Sequence, residues 1–286
     1  MTLGNCCRDA QSKLETHYPP GEAREMVRII MAHLKGYTPV DLIIKADDEV
    51  SDFISGKVDA IVKRLLNDEP IQYIFGDTQF YGLTLKVNSH TLIPRPETEE
   101  LVDFIVKYYS GRSDLNVLDI ATGSGCIAIA LARNLPFASV CATDISADAL
   151  EVARANATSL KTDVKFKLCD IMSMPASDDA DLYDIIVSNP PYIATSEKAA
   201  MAPNVLEYEP HGALFVPDSD PLKFYHAISN YALKALRNAG KIYFEINPLY
   251  ADALKRDMNS AGWGDVTLLR DISGKYRFLT AIKQPY

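Results

Sequence analysis

The pattern of hydrophobic positions divides the chain into a helical first part and a longer part in which strands and helices alternate. Apolar residues recur at helical spacing over residues 26–34 and again over 51–67. Between these stripes, Thr38-Pro39 is typical of a helix cap followed by a first-turn proline. Because packing explains most of the apolar positions, residues 1–69 are predicted to form a small helical domain.

Residues 70–94 carry a different pattern, with short alternating runs that favour strands. The runs IQYIFG, TQFYG and LTLKV are split by Gly76 and Gly82. This arrangement predicts a small β-hairpin that links two domains. A helix is predicted to follow, because Pro96 suits a first turn and the acidic residues after it favour the positive end of a helix dipole.

The remainder of the chain, residues 95–286, alternates strands and helices. The predicted strands are LNVLDI, SVCATD, VKFKLCD, YDIIVS, KIYFEI, VTLLR and YRFLTAI, and the predicted helices cover about 124–134, 147–158, 221–238 and 249–261. This rhythm is typical of an α/β fold with a doubly wound parallel sheet. Because the last two strands are close in sequence, one of them is predicted to be antiparallel to the rest.

Composition indicates an ordinary soluble protein and restricts its partners. The 286 residues are 48% hydrophobic, no apolar stretch is long enough to span a membrane, and the N-terminus lacks the apolar core of a signal peptide. We therefore expect a cytoplasmic protein without a membrane partner. The formal net charge of −9 argues against nucleic-acid binding, which requires a basic surface to neutralise phosphates.

The five cysteines indicate neither disulfides nor a metal site. Cys6 and Cys7 are adjacent, the other three lie in apolar runs, and no Cys-x-x-Cys spacing occurs. In a reducing compartment this pattern is typical of buried or incidental thiols. No metal is therefore expected.

A glycine-rich segment joins the first strand of the α/β part to its first helix and is a candidate cofactor loop. Glycines allow a tight turn and a close approach of the backbone to a ligand. On spacing alone, the segment also fits a dinucleotide-binding fingerprint that ends in an acidic residue, here Asp144. The loop consists of Asp119, Ile120, Ala121, Thr122, Gly123, Ser124 and Gly125.

Acidic residues at three strand ends help to distinguish a dinucleotide from S-adenosylmethionine as the cofactor. Asp119 would repel a pyrophosphate, whereas it could accept a hydrogen bond from the ammonium group of S-adenosylmethionine or balance the positive charge of that cofactor. Asp144 is placed to hold ribose hydroxyls with either cofactor, and Asp170 lies near the expected adenine. The structural alternative is that these carboxylates are helix caps or solvated loop acids.

The tetrapeptide Asn189-Pro190-Pro191-Tyr192 follows the strand YDIIVS and indicates methyl transfer to a planar nitrogen. Such a nitrogen is a poor nucleophile because its lone pair is delocalised, so it must be held and polarised. The Asn189 carboxamide oxygen and the neighbouring carbonyl could each accept an amine hydrogen, the prolines stiffen the turn, and Tyr192 offers a face for stacking. A simple turn is the alternative, but the carboxyl end of a strand favours a ligand site.

The segment EPIQYIFGDTQFYGLTLKVNSHTLIPRPETEELV, followed by DIATGSG, TDIS and SNPPY, resembles the peptide chain release factor glutamine N5-methyltransferases. These are class I S-adenosylmethionine-dependent methyltransferases. The resemblance covers roughly residues 65–286, including YEPHGALF and DISGKYRF. Its IPRPETE segment is more specific than the tetrapeptide, which adenine and cytosine amino-methyltransferases share. The implied fold is a Rossmann-like sheet of seven strands, with one of the last pair antiparallel, preceded by a small helical domain that recognises the substrate.

The resemblance also implies a substrate and a role for the matching residues. The substrate would be the glutamine of the Gly-Gly-Gln loop in class I translation release factors, and the cofactor would be S-adenosylmethionine. The loop residues 122–125 would wrap the methionine part of the cofactor, and Asp144 would bind its ribose. The residues Asn189, Pro190, Pro191 and Tyr192 would grip the glutamine amide.

Two residues depart from the family pattern. Ala121 stands where the family usually has glycine, which is a mild change if the backbone φ is negative there. Ile171 follows Asp170 where some members have an aromatic residue. Aliphatic contact would then replace stacking on the adenine.

The predicted mechanism is an in-line attack of the glutamine nitrogen on the sulfonium methyl group. Asn189 and the Pro190 carbonyl would accept the two amide hydrogens, and Tyr192 would stack on the amide plane. No strong base is assigned, because the product can lose its proton after the transfer.

Several residues near these motifs have no assigned role. Arg95, Glu97 and Thr98 either lie over the edge of the pocket or only begin a helix with a local ion pair. Glu209 belongs to a loop that could close over the site. His211 is interpreted as incidental, because the sequence spacing does not indicate a general-base role for it.

The residues alone, without the family resemblance, are compatible with other functions. A methyltransferase of DNA or RNA could place a flipped base against Tyr192, although the acidic charge favours a protein substrate. A nicotinamide-dependent oxidoreductase could use the glycine loop but would leave the tetrapeptide unexplained. A non-catalytic binding module would have no clear use for the loop and the tetrapeptide together.

Overall fold

The computed structural model describes residues 1–174 and 182–285, which form two compact units. The smaller unit comprises Met1–Gly76 together with Pro203–Tyr208. The larger unit comprises the described residues of Asp77–Ala202 and those from Glu209 onward. Within the described part of the chain, no helix is both long and apolar enough to cross a membrane.

The α-helices are numbered in chain order, and α1 to α5 and α9 belong to the smaller unit. They are α1 (Leu3–Leu14), α2 (Pro20–Lys35), α3 (Pro39–Ile44), α4 (Asp52–Leu65), α5 (Ile71–Phe75), α6 (Pro96–Tyr109), α7 (Cys126–Asn134), α8 (Ala147–Ser159), α9 (Pro203–Tyr208), α10 (Lys223–Ala235) and α11 (Ala251–Ser260).

The predicted apolar stripes form the core of the smaller unit. Ile30 of α2 and Leu65 of α4 are fully buried in one cluster with Leu14 of α1. The cap predicted at Thr38 is also present. Its hydroxyl accepts a hydrogen bond from the Asp41 backbone N–H at 3.2 Å, and the Asp41 carboxylate accepts one from the Thr38 N–H at 2.9 Å. This reciprocal capping box starts α3.

The strands form a hairpin, a seven-stranded sheet and a short two-stranded pair. They are β1 (Asp77–Phe80), β2 (Leu83–Lys86), β3 (Asn116–Ile120), β4 (Ser139–Asp144), β5 (Val164–Leu168), β6 (Tyr183–Ser188), β7 (Ile193–Ala194), β8 (Phe215–Val216), β9 (Leu236–Glu245), β10 (Gly264–Arg270) and β11 (Tyr276–Ile282).

The large sheet has the order β10-β11-β9-β6-β3-β4-β5. All neighbouring pairs from β9 to β5 are parallel, and β11 runs antiparallel between β9 and β10. The predicted antiparallel strand is therefore confirmed. Because β3, β4 and β6 end at the same edge of the sheet, the glycine loop, Asp144 and Asn189 are brought to one place.

Helices cover both faces of this sheet, as the near-continuous apolar strands require. Val117 of β3 and Ile185 of β6 are buried in one cluster with residues of α6 and α7. Their neighbours Leu118 and Ile186 point to the opposite face and are buried with residues of α10 and α11. The loops at the strand ends are therefore anchored by hydrophobic packing on both faces of the sheet.

Two element predictions were wrong. The run IQYIFG is not a strand: residues 71–75 form α5 between Pro70 and a left-handed Gly76, and Ile71 is buried in the core of the smaller unit. The helix predicted to reach residue 238 ends at Ala235. From Leu236 the backbone is extended, because it pairs with Tyr183 at the start of β6. In both places tertiary packing outweighs local pattern.

Candidate active site

A cavity of about 460 Å³ lies in the larger unit at the carboxyl ends of the parallel strands. Of the residues predicted for the site, those that line the cavity are Ala121, Thr122, Gly123, Ser124, Asp144, Asp170, Ile171, Asn189, Pro190 and Pro191. Three others, Asp119, Gly125 and Tyr192, do not line it. The strand order therefore brings together loops that are far apart in sequence.

The glycine loop forms an open cradle at the start of α7. Gly123 has a φ of +55°, and a Cβ built there would meet no atom of the described residues within 4 Å, so its backbone is open on this side. Gly125 has a φ of +81°, and its added Cβ would lie 3.0 Å from Ile129 Cδ1 and 3.1 Å from Ala153 Cβ. The first glycine thus leaves room for a ligand, and the second permits the close packing of α7 against α8.

Ala121 does not have the negative φ under which its replacement of glycine would be mild. Its φ is +60°, in the left-handed region. A residue with a Cβ loses roughly 1–2 kcal/mol there relative to right-handed backbone. The loop therefore holds a strained alanine at the wall of the cavity.

Asp119 is fully buried beneath the loop. Its Oδ2 accepts hydrogen bonds from the Thr122 hydroxyl at 2.6 Å and from the Ala128 backbone N–H at 3.1 Å. Its Oδ1 has no hydrogen-bond partner among the residues that the structure describes. Burial raises the pKa of Asp119 to about 7, although these two hydrogen bonds oppose the rise.

Asp144 ends β4 and anchors the tip of the glycine loop. Its Oδ2 accepts a hydrogen bond from the Gly123 N–H at 2.8 Å, and its Oδ1 accepts one from the Ser146 N–H at 2.9 Å. Burial raises the pKa of this carboxyl, and hydrogen bonds from the backbone N–H groups of Ser146, Gly123 and Ile145 lower it. A carboxylate has about four acceptor positions, so Asp144, which lines the cavity, can still accept hydroxyl donors from a ligand.

Asn156 was not expected from the sequence, where it is one polar residue within a helix. It is buried in α8, and its Nδ2 donates to the Ser124 carbonyl at 2.9 Å and to the Lys86 carbonyl at 3.0 Å. Its Oδ1 accepts from the Lys86 N–H at 2.7 Å. Asn156 therefore ties the hairpin strand β2 to the glycine loop.

Asp170 and Ile171 lie at another part of the cavity wall, after β5. The Asp170 Oδ1 accepts a hydrogen bond from the Met172 N–H at 2.9 Å and caps a single 3₁₀ turn. Ile171 packs at the margin of the core under α10 and α11. This wall offers one carboxylate and one aliphatic surface side by side.

The Asn189 side chain is oriented by Thr98 of α6. The Asn189 Nδ2 donates to the Thr98 Oγ1 at 3.3 Å. Among the described residues no donor is bonded to the Asn189 Oδ1. Because Asn189 lines the cavity, this oxygen is available to accept a hydrogen bond from a ligand.

The Tyr192 ring is half-buried, and its hydroxyl donates to the Glu245 Oε1 at 3.0 Å. The Tyr192 carbonyl accepts from the Asn247 Nδ2 at 3.1 Å. Burial raises the pKa of Tyr192 well above its ordinary value, and the negative charge of Glu245 raises it further. The tyrosine is thus a fixed, protonated end of the tetrapeptide.

The sequence did not predict a role for Glu245 or Asn247, since only strand pairing places the end of β9 beside β6.

Arg95 and Glu209 join two segments that are far apart in sequence. The Arg95 guanidinium contacts the Glu209 Oε1 at 2.5 Å, and the Ile93 N–H donates to the Glu209 Oε2 at 3.2 Å. Glu209 is buried, whereas Arg95 is one-third exposed and lines the cavity. The ion pair is therefore not local to the start of α6, and Glu97 takes no part in it.

Comparison with known proteins identifies the family of this chain. A model described as a methyltransferase domain matches residues 112–246, and one described as a PrmC N-terminal domain matches residues 5–76. A release factor glutamine methyltransferase of Bacteroides thetaiotaomicron is 44% identical over 271 residues, which cover 95% of this chain and 96% of the relative. This chain belongs to the release factor glutamine methyltransferases.

Other similarities agree with this family and its fold. A release factor glutamine methyltransferase of Flavobacterium psychrophilum is 43% identical over 98% of both chains. A crystal structure of a methyltransferase from Pyrococcus furiosus has a TM-score of 0.52 at 18% identity and covers 78% of this chain and 98% of that one, which shows the shared fold. The predicted fold class, family and S-adenosylmethionine cofactor are confirmed, and the oxidoreductase alternative is excluded.

Proposed function

We propose that the chain transfers a methyl group from S-adenosylmethionine to the side-chain amide nitrogen of the glutamine in the Gly-Gly-Gln motif of class I release factors. The observation that carries this proposal is the orientation of Asn189, which lines the cavity: its Nδ2 donates to the Thr98 Oγ1, and no donor among the described residues is bonded to its Oδ1. Two relatives that match nearly the whole chain are named for this activity.

The residues of the tetrapeptide would act on the acceptor amide by orientation and polarisation. The Asn189 Oδ1 and the Pro190 carbonyl would accept its two hydrogens, which aims the nitrogen and stabilises the positive charge that develops on it. The two prolines keep this turn stiff and offer no competing N–H. Stacking of Tyr192 on the amide stays a prediction, because the ring does not line the cavity.

The residues around the glycine loop fit the cofactor that the family uses. The open backbone at Gly123 leaves space for a ligand, and the buried Asp119 Oδ1 has no hydrogen-bond partner in the described part of the chain. Residues 122–125 would hold the methionine part, Asp144 the ribose, and Asp170 and Ile171 the adenine, with Ala121 at the same wall. When bound, S-adenosylmethionine supplies an electrophilic methyl group on a sulfonium, and an acidic surround favours this cation.

We further propose that the protein acts in the cytoplasm, where release factors work. The net charge of −9 supports a protein substrate over DNA or RNA. Direct binding to nucleic acid is not expected.

The proposal is tested by incubating the purified chain with S-adenosylmethionine labelled in the methyl group and one acceptor at a time. The acceptors are a class I release factor, the same factor with the motif glutamine replaced by alanine, duplex DNA and transfer RNA. Label is expected in the intact release factor alone. Label in nucleic acid but not in the release factor would overturn the proposal in favour of an amino-methyltransferase of bases.

A further inference from the structure

Glu245 is a buried carboxylate that lies next to the tetrapeptide without belonging to it. It ends β9, and the pairing of Ser188 with Phe244 places it directly beside Asn189 at the edge of the sheet. The residue is only 1% exposed. Burying a carboxylate to this degree costs free energy unless the group is hydrogen-bonded or paired with a cation. The hydrogen-bond partners of Glu245 therefore indicate what it does in the fold.

Both oxygens of Glu245 accept hydrogen bonds from hydroxyl groups. The Thr98 Oγ1 donates to Oε2 at 2.6 Å, and the Tyr192 hydroxyl donates to Oε1 at 3.0 Å. Thr98 lies on α6 and Tyr192 lies after β6. The carboxylate therefore joins three separate elements of the fold at the point where the tetrapeptide turns.

The bond to Thr98 determines which way the Asn189 carboxamide faces. A hydroxyl has one hydrogen, and Thr98 gives it to Glu245, so its oxygen can only accept from Asn189. The Asn189 Nδ2 satisfies that requirement at 3.3 Å. The opposite orientation would place two acceptors, Oδ1 and Oγ1, against each other. The carboxylate thus sets the direction of the amide through one intervening hydroxyl.

The surroundings of Glu245 act on its pKa in opposite directions, and their net effect is to raise it. Burial raises the pKa of Glu245, while its bonds to Thr98 and Tyr192 and the nearby Arg277 guanidinium lower it, and Glu97 raises it. Arg277 is held in turn by Asp271, whose Oδ2 accepts from its Nε at 3.2 Å. The closing DISGKYRF segment therefore supplies a cation whose charge lowers the pKa of Glu245 and opposes the effect of burial.

We propose that Glu245 is a positioning residue for methyl transfer: it holds Tyr192 directly and Asn189 through Thr98, so that the Asn189 Oδ1 faces the acceptor nitrogen. This inference rests on the proposed function for its role in turnover. The arrangement of the side chains can be tested separately from that function.

The kinetic test compares Thr98→Val, which keeps the shape and removes the hydroxyl, with Thr98→Ser, which retains it. Thr98→Val is expected to lower kcat on release factor at least about tenfold, with the Kd for S-adenosylmethionine within about twofold of the wild type. Thr98→Ser should recover most of kcat. Thr158→Val, which removes an exposed hydroxyl on α8, is the control and should match the wild type.

Glu245→Gln tests the carboxylate itself, because the two hydroxyls bond to different oxygens and glutamine replaces one of these oxygens with an NH₂ group, which cannot accept. It should lower kcat, and adding it to Thr98→Val should cost much less than the product of the two separate effects. Independent, multiplying effects would overturn the proposal, as would a normal kcat in Thr98→Val or equal losses in Thr98→Val and Thr98→Ser. If Glu245→Gln does not fold, the Thr98 pair decides the matter.

The second readout needs no substrate. The ¹⁵N side-chain amide signals of Asn189 are identified by their loss in Asn189→Ala, and they should move in Thr98→Val and Glu245→Gln but not in Thr158→Val. Unchanged signals in both variants would overturn the proposal whatever the activity. If the wild type does not methylate release factor, the proposed function fails, and these signals still decide the role of Glu245.

Discussion

The Gly123 backbone N–H donates to the Asp144 Oδ2 at 2.8 Å, so the tip of the glycine loop is tied to the end of the neighbouring strand. The loop and the carboxylate therefore form one structural unit at the wall of the cavity. A change in Asp144 must alter both the proposed ribose contact and the shape of the cradle.

Replacing Asp144 with asparagine is expected to weaken the binding of S-adenosylmethionine. An asparagine can accept one of the two backbone hydrogen bonds, but its NH₂ group would face the other N–H. The Kd should rise about 10- to 100-fold, as for the loss of a charged hydrogen-bond acceptor. Isothermal titration calorimetry measures it, with the exposed Asp163→Asn as control. Equal affinity in the two variants would show that Asp144 does not contact the cofactor.

Replacing Asn189 with alanine is expected to affect turnover far more than cofactor affinity. The variant loses the acceptor oxygen that aims the amide nitrogen, so kcat should fall about 10²- to 10³-fold, as on loss of one preorganised transition-state contact. The Kd for S-adenosylmethionine should stay within a few-fold of the wild type. Asn259→Ala, an exposed change on α11, provides the comparison. Near-normal methylation of release factor by Asn189→Ala would be incompatible with the assigned role.

Ala121→Gly is expected to stabilise the folded chain. Glycine removes the left-handed strain at a φ of +60°, and the greater freedom of the unfolded glycine cancels part of this gain. The free energy of unfolding should rise by about 0.5–1 kcal/mol. Ala155→Gly, at an exposed position inside α8, should instead lower it by about 1 kcal/mol. Denaturant unfolding measures both, and the same sign in both variants would contradict the strain at Ala121.

Asp119 should make the stability of the cofactor-free chain depend on pH. Its folded pKa of about 7 lies above the usual value for an aspartate, so between about pH 4 and 7 the native chain binds more protons than the unfolded chain. The free energy of unfolding contributed by this group therefore falls as the pH rises through this window, and the charged form is the destabilised one.

The measurement compares denaturant unfolding at pH 5 and pH 8 for the wild type and Asp119→Asn. An asparagine oxygen can still accept from Thr122 and Ala128, so the contacts are kept and only the titration is removed. The wild type should lose on the order of a few kcal/mol more than the variant between these pH values. Asp163→Asn should follow the wild type. Parallel curves for Asp119→Asn would disprove the raised pKa.

The order of strands and helices in the larger unit was predictable because each element carries its own pattern. Strands buried on both faces are continuous apolar runs, and the helices between them show apolar stripes. The two wrong predictions occur where tertiary packing, rather than the local sequence pattern, determines the secondary structure. The run at 71–75 is as apolar as a strand but closes into α5, and Leu236 leaves the predicted helix to pair with Tyr183.

The sequence by itself determined which chemical groups the site contains, since the glycine loop, Asp144 and the tetrapeptide are motifs whose function depends on residues adjacent in the chain. Only the tertiary structure decided how those groups are oriented. Thr98, Asn156 and Glu245 act through hydrogen bonds to residues at least 32 positions away, and no local pattern encodes such bonds. Their direction depends on strand pairing and burial, which arise only when the whole sheet has formed.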